Sequence, residues 1–197
     1  MCGIAGSWGR VEETLVRDMM KQLHHRGPDA HGLHSCDRGM LGHQRLSIMD
    51  PEGGNQPLYN ENKNVAIIAN GEIYNFPTLR KELSMRHSLE TGNDSEAALH
   101  LYEEIAHAAA ERLEGMFALA ITDGKELYLA RDAIGIKPLY HGECDGAMIF
   151  ASELKAFNNR TQNVQEFPAG TWYSSALGFQ RFYDVPNRQP VRRTVEE

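Results

Sequence analysis

Val11, Leu15, Met19 and Leu23 recur at four-residue intervals, with Val16 and Met20 beside them and mostly charged or polar residues between. An apolar stripe of that period marks an amphipathic helix, here expected from about Glu12 to His24. The stripe ends before Arg26-Gly27-Pro28-Asp29, where glycine and proline stop a helix and favour a tight turn. From Gly39 to Asp50 the pattern is that of a strand, with Leu41, Leu46 and Ile48 as its buried positions. Pro51 to Pro57 is loop. Val65-Ala66-Ile67-Ile68-Ala69 is a continuous apolar run, as expected of a strand covered on both faces, and it leads straight into the polar trio Asn70-Gly71-Glu72.

Phe76-Pro77-Thr78 opens a short helix to about Met85, with proline in its first turn and Leu79 and Leu83 on one face. A second helical pattern, with Ala98, Leu101 and Ile105 apolar, starts behind Asn93 or Asp94 as the N-cap. Met116 to Thr122 and Glu126 to Ala130 flank an Asp123-Gly124 turn and should pair antiparallel. Further strands are expected at Pro138 to Tyr140, Ala147 to Ala151 and Gly170 to Tyr173. Strands at both ends and helices between them describe an α+β chain with neither internal repeat nor low-complexity tract. The tail from Val185 to Glu197 has two prolines and mixed charge, and it reads as a linker or the start of a further domain.

Length and composition narrow the class. At 197 residues and 41% hydrophobic content the chain has enough apolar surface for a real core. A net charge of −7 argues against a nucleic-acid partner, which needs a basic stripe. No apolar run approaches a membrane span and the N-terminus lacks the basic start of a signal peptide, so a cytoplasmic protein is expected. Cys2, Cys36 and Cys144 are odd in number and scattered, which suggests no disulfide framework. Cys36 and Cys144 are expected to be inert thiols. His24, His25, His31 and His34 invite a zinc reading, but their spacing fits none of the Cys/His zinc patterns, and no metal is expected.

The chemistry begins at Cys2. With Met1 removed, one residue carries both a thiol and an α-amine, and a thiol beside a base is a nucleophile ready for use. Taken alone, Cys2 is also what a cysteine in a buried strand looks like.

Motifs spread over nearly the whole chain change that reading. They are Cys2-Gly3-Ile4-Ala5-Gly6, His25-Arg26-Gly27-Pro28-Asp29, Gln44-Arg45-Leu46-Ser47-Ile48, Gln56-Pro57-Leu58, Asn70-Gly71-Glu72-Ile73-Tyr74-Asn75, Thr91-Gly92-Asn93-Asp94, Gly115-Met116-Phe117-Ala118, the run from Arg131 to Tyr140 and Ala151-Ser152-Glu153-Leu154-Lys155-Ala156. In this order they resemble the class II glutamine amidotransferases, and His-Arg-Gly-Pro-Asp is most like the glutaminase domain of asparagine synthetases. The resemblance implies a four-layer αββα sandwich of the N-terminal nucleophile hydrolase type, with the domain spanning residues 1–184 and a linker from 185 to 197. It implies that Cys2 attacks the side-chain amide of L-glutamine and leaves a thioester that water hydrolyses.

By the same resemblance, the Asn70 amide and the Gly71 N–H form the oxyanion hole. Arg45 binds the substrate carboxylate, Asp94 helped by Glu72 binds its ammonium, and backbone groups of Leu46, Ser47, Ile48 and Met49 line the pocket. A planar cation at one end and acids at the other suit an amino acid chemically. Read singly, Asn70 is also a turn residue, Asp94 a helix cap, Arg45 a surface ion-pair partner and Glu72 a solvated acid. Arg26 either favours the thiolate or stabilises its turn. The glutaminase step needs no cofactor. ATP and Mg belong to the ammonia-accepting synthetase domain of such enzymes, whose Ser-Gly-Gly-rich phosphate loop does not occur in these residues. A catalytically inactive glutamine-sensing or docking module on the same scaffold is the alternative.

Overall fold

The computed structural model describes residues 1–186 apart from Val11, Met49 and Pro51. The first position of the apolar stripe, the Met49 member of the expected pocket and most of the expected linker therefore lie outside the described residues.

The first strand, β1 (Gly3–Trp8), is followed by α1 (Glu13–Gln22), a short 3-10 turn at His24–Arg26, β2 (Ala30–Cys36), β3 (Gly39–Arg45) and β4 (Leu58–Tyr59). The middle of the chain supplies β5 (Ala66–Ile73), α2 (Phe76–Leu83) and α3 (Asp94–Ile105). Then come β6 (Gly115–Thr122), β7 (Leu127–Arg131), β8 (Tyr140–Cys144), β9 (Ala147–Ala151), β10 (Gln162–Glu166), β11 (Thr171–Ser174) and β12 (Gly178–Arg181). The strands form two six-stranded sheets, ordered β10-β8-β9-β1-β3-β2 and β12-β11-β7-β6-β5-β4. The paired strands within both sheets are antiparallel, and the Asp123-Gly124 turn joins β6 to β7 as expected.

Three apolar clusters show the layering. Ile4, Trp8 and Leu41 of one sheet meet Ala66, Ile68, Ala118 and Leu129 of the other in a buried layer between the sheets. Ala5, Ile149 and Ala151 face outwards onto Leu15, Met19 and Leu23 at α1. On the opposite outer face, Ile67, Ala69 and Phe117 pack on Leu79 and Leu83 of α2 and Ala98 and Leu101 of α3. The order is helix, sheet, sheet, helix, the expected four-layer αββα sandwich. Because side chains alternate along a strand, β1 and β5 are both covered on two faces, which is why each reads as an apolar run.

Several expected boundaries shift. α1 ends at Gln22 and the chain tightens into the 3-10 turn before Gly27. β3 stops at Arg45, so Leu46 is half-buried and Ile48 is 70% exposed rather than core. Beyond Arg45 the chain leaves the sheet to form a pocket wall, and the apolar Ile48 was mistaken for a strand position. β2, β4, β10 and β12 had no clear signal. β2 and β10 are largely polar edge strands, and β4 has only two residues. No helix among the described residues is long and apolar enough to cross a membrane.

Candidate active site

The same alternation that builds the inner layer aims the functional side chains. Cys2 has the parity of Ile4, Arg45 that of Leu41, and Asn70 and Glu72 that of Ile68, so all four project to the side between the sheets. There they line one open pocket with Leu46, Gln56, Asp94, Met116 and Lys137. The β5–β6 register sets Asn70 opposite Ala118 and Glu72 opposite Met116.

Cys2 enters this pocket from a heavily braced strand. Gly3 pairs with Gln44, and the Ile4 N–H donates to the fully buried Ser152 hydroxyl at 2.9 Å while the Ser152 N–H returns a bond to the Ile4 carbonyl at 2.9 Å. Arg26 donates its Nε–H to the Cys2 carbonyl at 2.9 Å and its Nη1 to Glu153 at 2.7 Å. The Cys2 thiol lies 3.6 Å from the Leu46 carbonyl and accepts the Leu46 N–H at 3.4 Å. Gly27 allows this approach, since a Cβ there would meet the Gln44 carbonyl at 2.4 Å and the Arg45 backbone at 2.5 Å. Asp29 accepts the Ser47 N–H at 2.8 Å, so that donor is already engaged and Ser47 is not part of the pocket lining, whereas Leu46 and Ile48 are.

Asn70 is 2% exposed, and its side-chain nitrogen has no hydrogen-bond partner among the described residues. A buried amide left with free donors is unusual and has a desolvation cost unless something arrives to accept them. The neighbouring edge of β5 is tied down on either side. The Ala69 N–H donates to Gln56 at 2.5 Å, the Ala69 carbonyl meets His43 Nε2 at 3.1 Å, and the Ile73 N–H donates to Asp94 at 2.5 Å. Strand geometry sends the Gly71 N–H to this same edge, between those two donors. Gly71 itself permits close strand pairing, since a Cβ there would lie 2.3 Å from the Met116 carbonyl.

At the far end, Arg45 is 3% exposed and reaches Asn55 at 2.6 Å and the Asp50 carbonyl at 2.5 Å. Asp50 accepts the Gly53 and Gly92 N–H groups at 3.0 and 2.8 Å, and those bonds hold its carboxyl below the usual carboxylate range. It thereby links the arginine to the segment that carries Asp94. Asn93, not Asp94, caps α3, accepting the Ser95 N–H at 3.0 Å. Asp94 is free for other work. Burial pushes its carboxyl above the ordinary aspartate range, and the Glu72 charge adds to that, against the pull of the Ile73 and Ser95 N–H groups. Glu72 is exposed at the mouth.

A thiol, a buried amide without a partner among the described residues, a planar cation and two acids thus surround one cavity. The chain matches the family described as glutamine amidotransferase domain over residues 1–178. It belongs to that family. Among curated relatives it is 44% identical over 195 residues to asparagine synthetase [glutamine-hydrolyzing] 2 of Arabidopsis thaliana, covering 94% of this chain and 34% of that protein. It is also 44% identical over 195 residues to asparagine synthetase [glutamine-hydrolyzing] of Zea mays, covering 94% and 33%. The chain spans about a third of the length of the curated relatives it matches. Among solved structures, glutamine phosphoribosylpyrophosphate amidotransferase from B. subtilis superposes with a TM-score of 0.81 at 23% identity, over 95% of this chain and 50% of that one. That likeness shows the shared four-layer αββα fold.

For a glutamine amidotransferase, the expected site residues are well gathered, with Ser47 set back and Met49 outside the described residues. Lys137, Gln56 and Met116 were present in the family motifs but had been given no role. Lys137 is placed by the buried Asp132 carboxylate, which accepts the Ile136 and Lys137 N–H groups at 2.8 and 3.0 Å and brings the Lys137 ammonium to 3.5 Å from the Met1 sulfur. Only the fold could show that this loop closes on the N-terminus. His25 contacts Glu153 and Lys155, each at 3.1 Å. Cys36 and Cys144 are free thiols, bonded to the Gly39 carbonyl and to Asp145.

Proposed function

We propose that this chain hydrolyses L-glutamine to glutamate and ammonia at Cys2. The observation that carries the reading is Asn70, whose buried amide nitrogen lacks a partner among the described residues and lies on the face of β5 that looks towards Cys2. The Cys2 sulfur forms a bond to the amide carbon of the substrate as the carbonyl electrons move onto oxygen. Asn70 Nδ2 and the Gly71 N–H receive that oxyanion, and a fixed donor of this kind contributes about 3 kcal/mol of barrier lowering. The free α-amine of Cys2 takes the thiol proton and returns it to the leaving nitrogen, which departs as ammonia. Water then attacks the thioester, loses its proton to the same amine and regenerates the thiol. Arg45 holds the substrate carboxylate, Asp94 and Glu72 hold its ammonium, and Arg26 positions the nucleophile. Side chains, the Cys2 α-amine, the Gly71 N–H and water carry these steps.

Its relatives' names support an asparagine-forming synthetase region as the acceptor of the ammonia, and by the family resemblance ATP and Mg would belong to that region rather than to the glutaminase step. Ammonia release from glutamine by the purified chain, set beside calorimetric glutamine binding, tests the central claim. Cys2→Ala should bind glutamine and release no ammonia. Turnover of Cys2→Ala within about tenfold of the parent would remove Cys2 as nucleophile. A parent chain that binds glutamine without releasing ammonia would be a sensing module instead.

A further inference from the structure

Beside α3, and outside the residues that line the pocket, Glu61 from the β4–β5 loop, His87 from the segment after α2, and His100 and Glu103 from α3 converge. One ligand atom from each lies within 4.8 Å of all the others. His100 Nδ1 is 2.8 Å from Glu103 Oε2 and 4.0 Å from Glu61 Oε2. His87 Nδ1 is 3.6 Å from Glu61 Oε1 and 3.8 Å from Glu103 Oε2. A tetrahedral cation with bonds near 2.0 Å keeps its ligand atoms about 3.3 Å apart, so these separations bracket what such a cation requires.

The surroundings point the same way. A metal-bound imidazole generally turns its other ring nitrogen to a carboxylate. His87 Nε2 faces Glu104 at 3.4 Å, and His100 Nε2 faces Glu96 at 4.0 Å. His100 is fully buried, and its Nε2 has no hydrogen-bond partner among the described residues. The carboxylate ligands are oriented too, since Glu61 accepts the Ser88 N–H and Glu103 the Asn60 amide, each at 2.6 Å. The two imidazoles stack with centroids 4.5 Å apart.

We propose that Glu61, His87, His100 and Glu103 form a binding site for a zinc-class divalent cation, separate from the glutaminase pocket. Two imidazoles and two carboxylates are a borderline-hard set that suits Zn²⁺. The cation would tie α3 to the two segments beside it. Glu96, behind His100, holds the Glu90 and Thr91 N–H groups just ahead of Asp94, so the site braces the segment that supplies one end of the pocket. The inference is independent of the proposed reaction.

The test is titration of the chelator-stripped protein with Zn²⁺ by calorimetry and with Co²⁺ by visible absorption. One cation per chain is expected, with the intense d–d bands of tetrahedral cobalt and no thiolate charge-transfer band. His87→Ala and Glu61→Gln, both at partly exposed positions, should each weaken Zn²⁺ binding by about tenfold or more. Zn²⁺ should raise the melting temperature of the parent and much less that of either variant. Absence of binding, a thiolate band, or undiminished affinity in both variants would overturn the site.

Discussion

Arg26 is a strut between the start of β1 and the segment after β9, donating to the Cys2 carbonyl at 2.9 Å and to the Glu153 carboxylate at 2.7 Å. It uses a planar fork that lysine cannot reproduce. Arg26→Lys keeps the charge and loses the geometry, and a nucleophile displaced by a fraction of an ångström reacts slowly. The turnover number should fall by about tenfold to a hundredfold with little change in the Michaelis constant for glutamine. Glu153→Gln should show the same pattern more weakly. Steady-state kinetics on both variants decide it, and normal turnover in Arg26→Lys would assign that arginine to its turn alone.

Asn70→Ala removes the unpaired donor from the inner face of β5. Because an oxyanion donor acts mainly on the transition state, the turnover number should drop by about a hundredfold or more while glutamine binding changes little. The variant should also be no less stable than the parent, since the deleted nitrogen makes no bond within the described residues. A large binding defect with normal turnover would contradict the assignment.

Asp94 predicts an acid limb in the pH profile. Burial first, and then the like charge of Glu72, raise its carboxyl, so it takes up a proton at a higher pH than an ordinary aspartate and loses its hold on an ammonium. Specificity for glutamine, kcat/KM, should fall as pH drops towards that raised value. In Glu72→Gln the limb should move to lower pH, although overall affinity is weaker. The ionised carboxylate is disfavoured by the fold, so any stability from Asp94 is present below about pH 4 and lost as pH rises through the folded pKa. Asp94→Asn should therefore melt no lower than the parent at neutral pH while its Michaelis constant rises. An acid limb identical in parent and Glu72→Gln would separate Asp94 from substrate binding.

How far the sequence carried can be seen in these residues. The run at residues 65–69 was legible because a strand segment covered on both faces must be apolar throughout. Cys2, Arg45, Asn70 and Asp94 were recognisable from motifs, although their convergence depends on strand parity and register that no local pattern encodes. Asn93 and Asp94 were interchangeable caps until the Ile73 N–H was found on Asp94. Polar edge strands such as β2 had no alternation to read. The Glu61, His87, His100 and Glu103 cluster was invisible because only His100 and Glu103 share a helix, and tertiary packing brings up the other two.

His43 gives a stability signature. It is fully buried between the sheets, with Nε2 donating to the Ala69 carbonyl and Nδ1 left without a partner among the described residues. Burial lowers its pKa to about 4; the Ala69 bond opposes that shift and the Arg45 charge adds to it. Between about pH 6.5 and 4 the unfolded chain binds more protons than the folded one, so the contribution is complete above that window and lost as pH falls through it. At pH 5 the loss should be about 2 kcal/mol. Urea unfolding at pH 7 and pH 5 should show a smaller difference for His43→Gln than for the parent. Equal differences would mean that His43 is protonated without cost in the fold.

Met1 lines the same pocket as Cys2, with its sulfur 3.5 Å from the Lys137 ammonium. While it is present, the Cys2 nitrogen is an amide, which is not basic and cannot accept the thiol proton. The methionine side chain also takes up room in the pocket that Cys2 lines. The active enzyme is therefore expected to begin at Cys2, and the small side chain at that position is compatible with methionine removal. Intact mass of active protein should fall short of the sequence mass by one methionine. A variant that keeps one extra residue ahead of Cys2 should bind glutamine weakly and release no ammonia. If it turned over glutamine at the parent rate, the α-amine could not be the base. His25 is a poor substitute, since Glu153 and Lys155 engage its two ring nitrogens and it does not line the pocket, so a water in the pocket would then be the group to test.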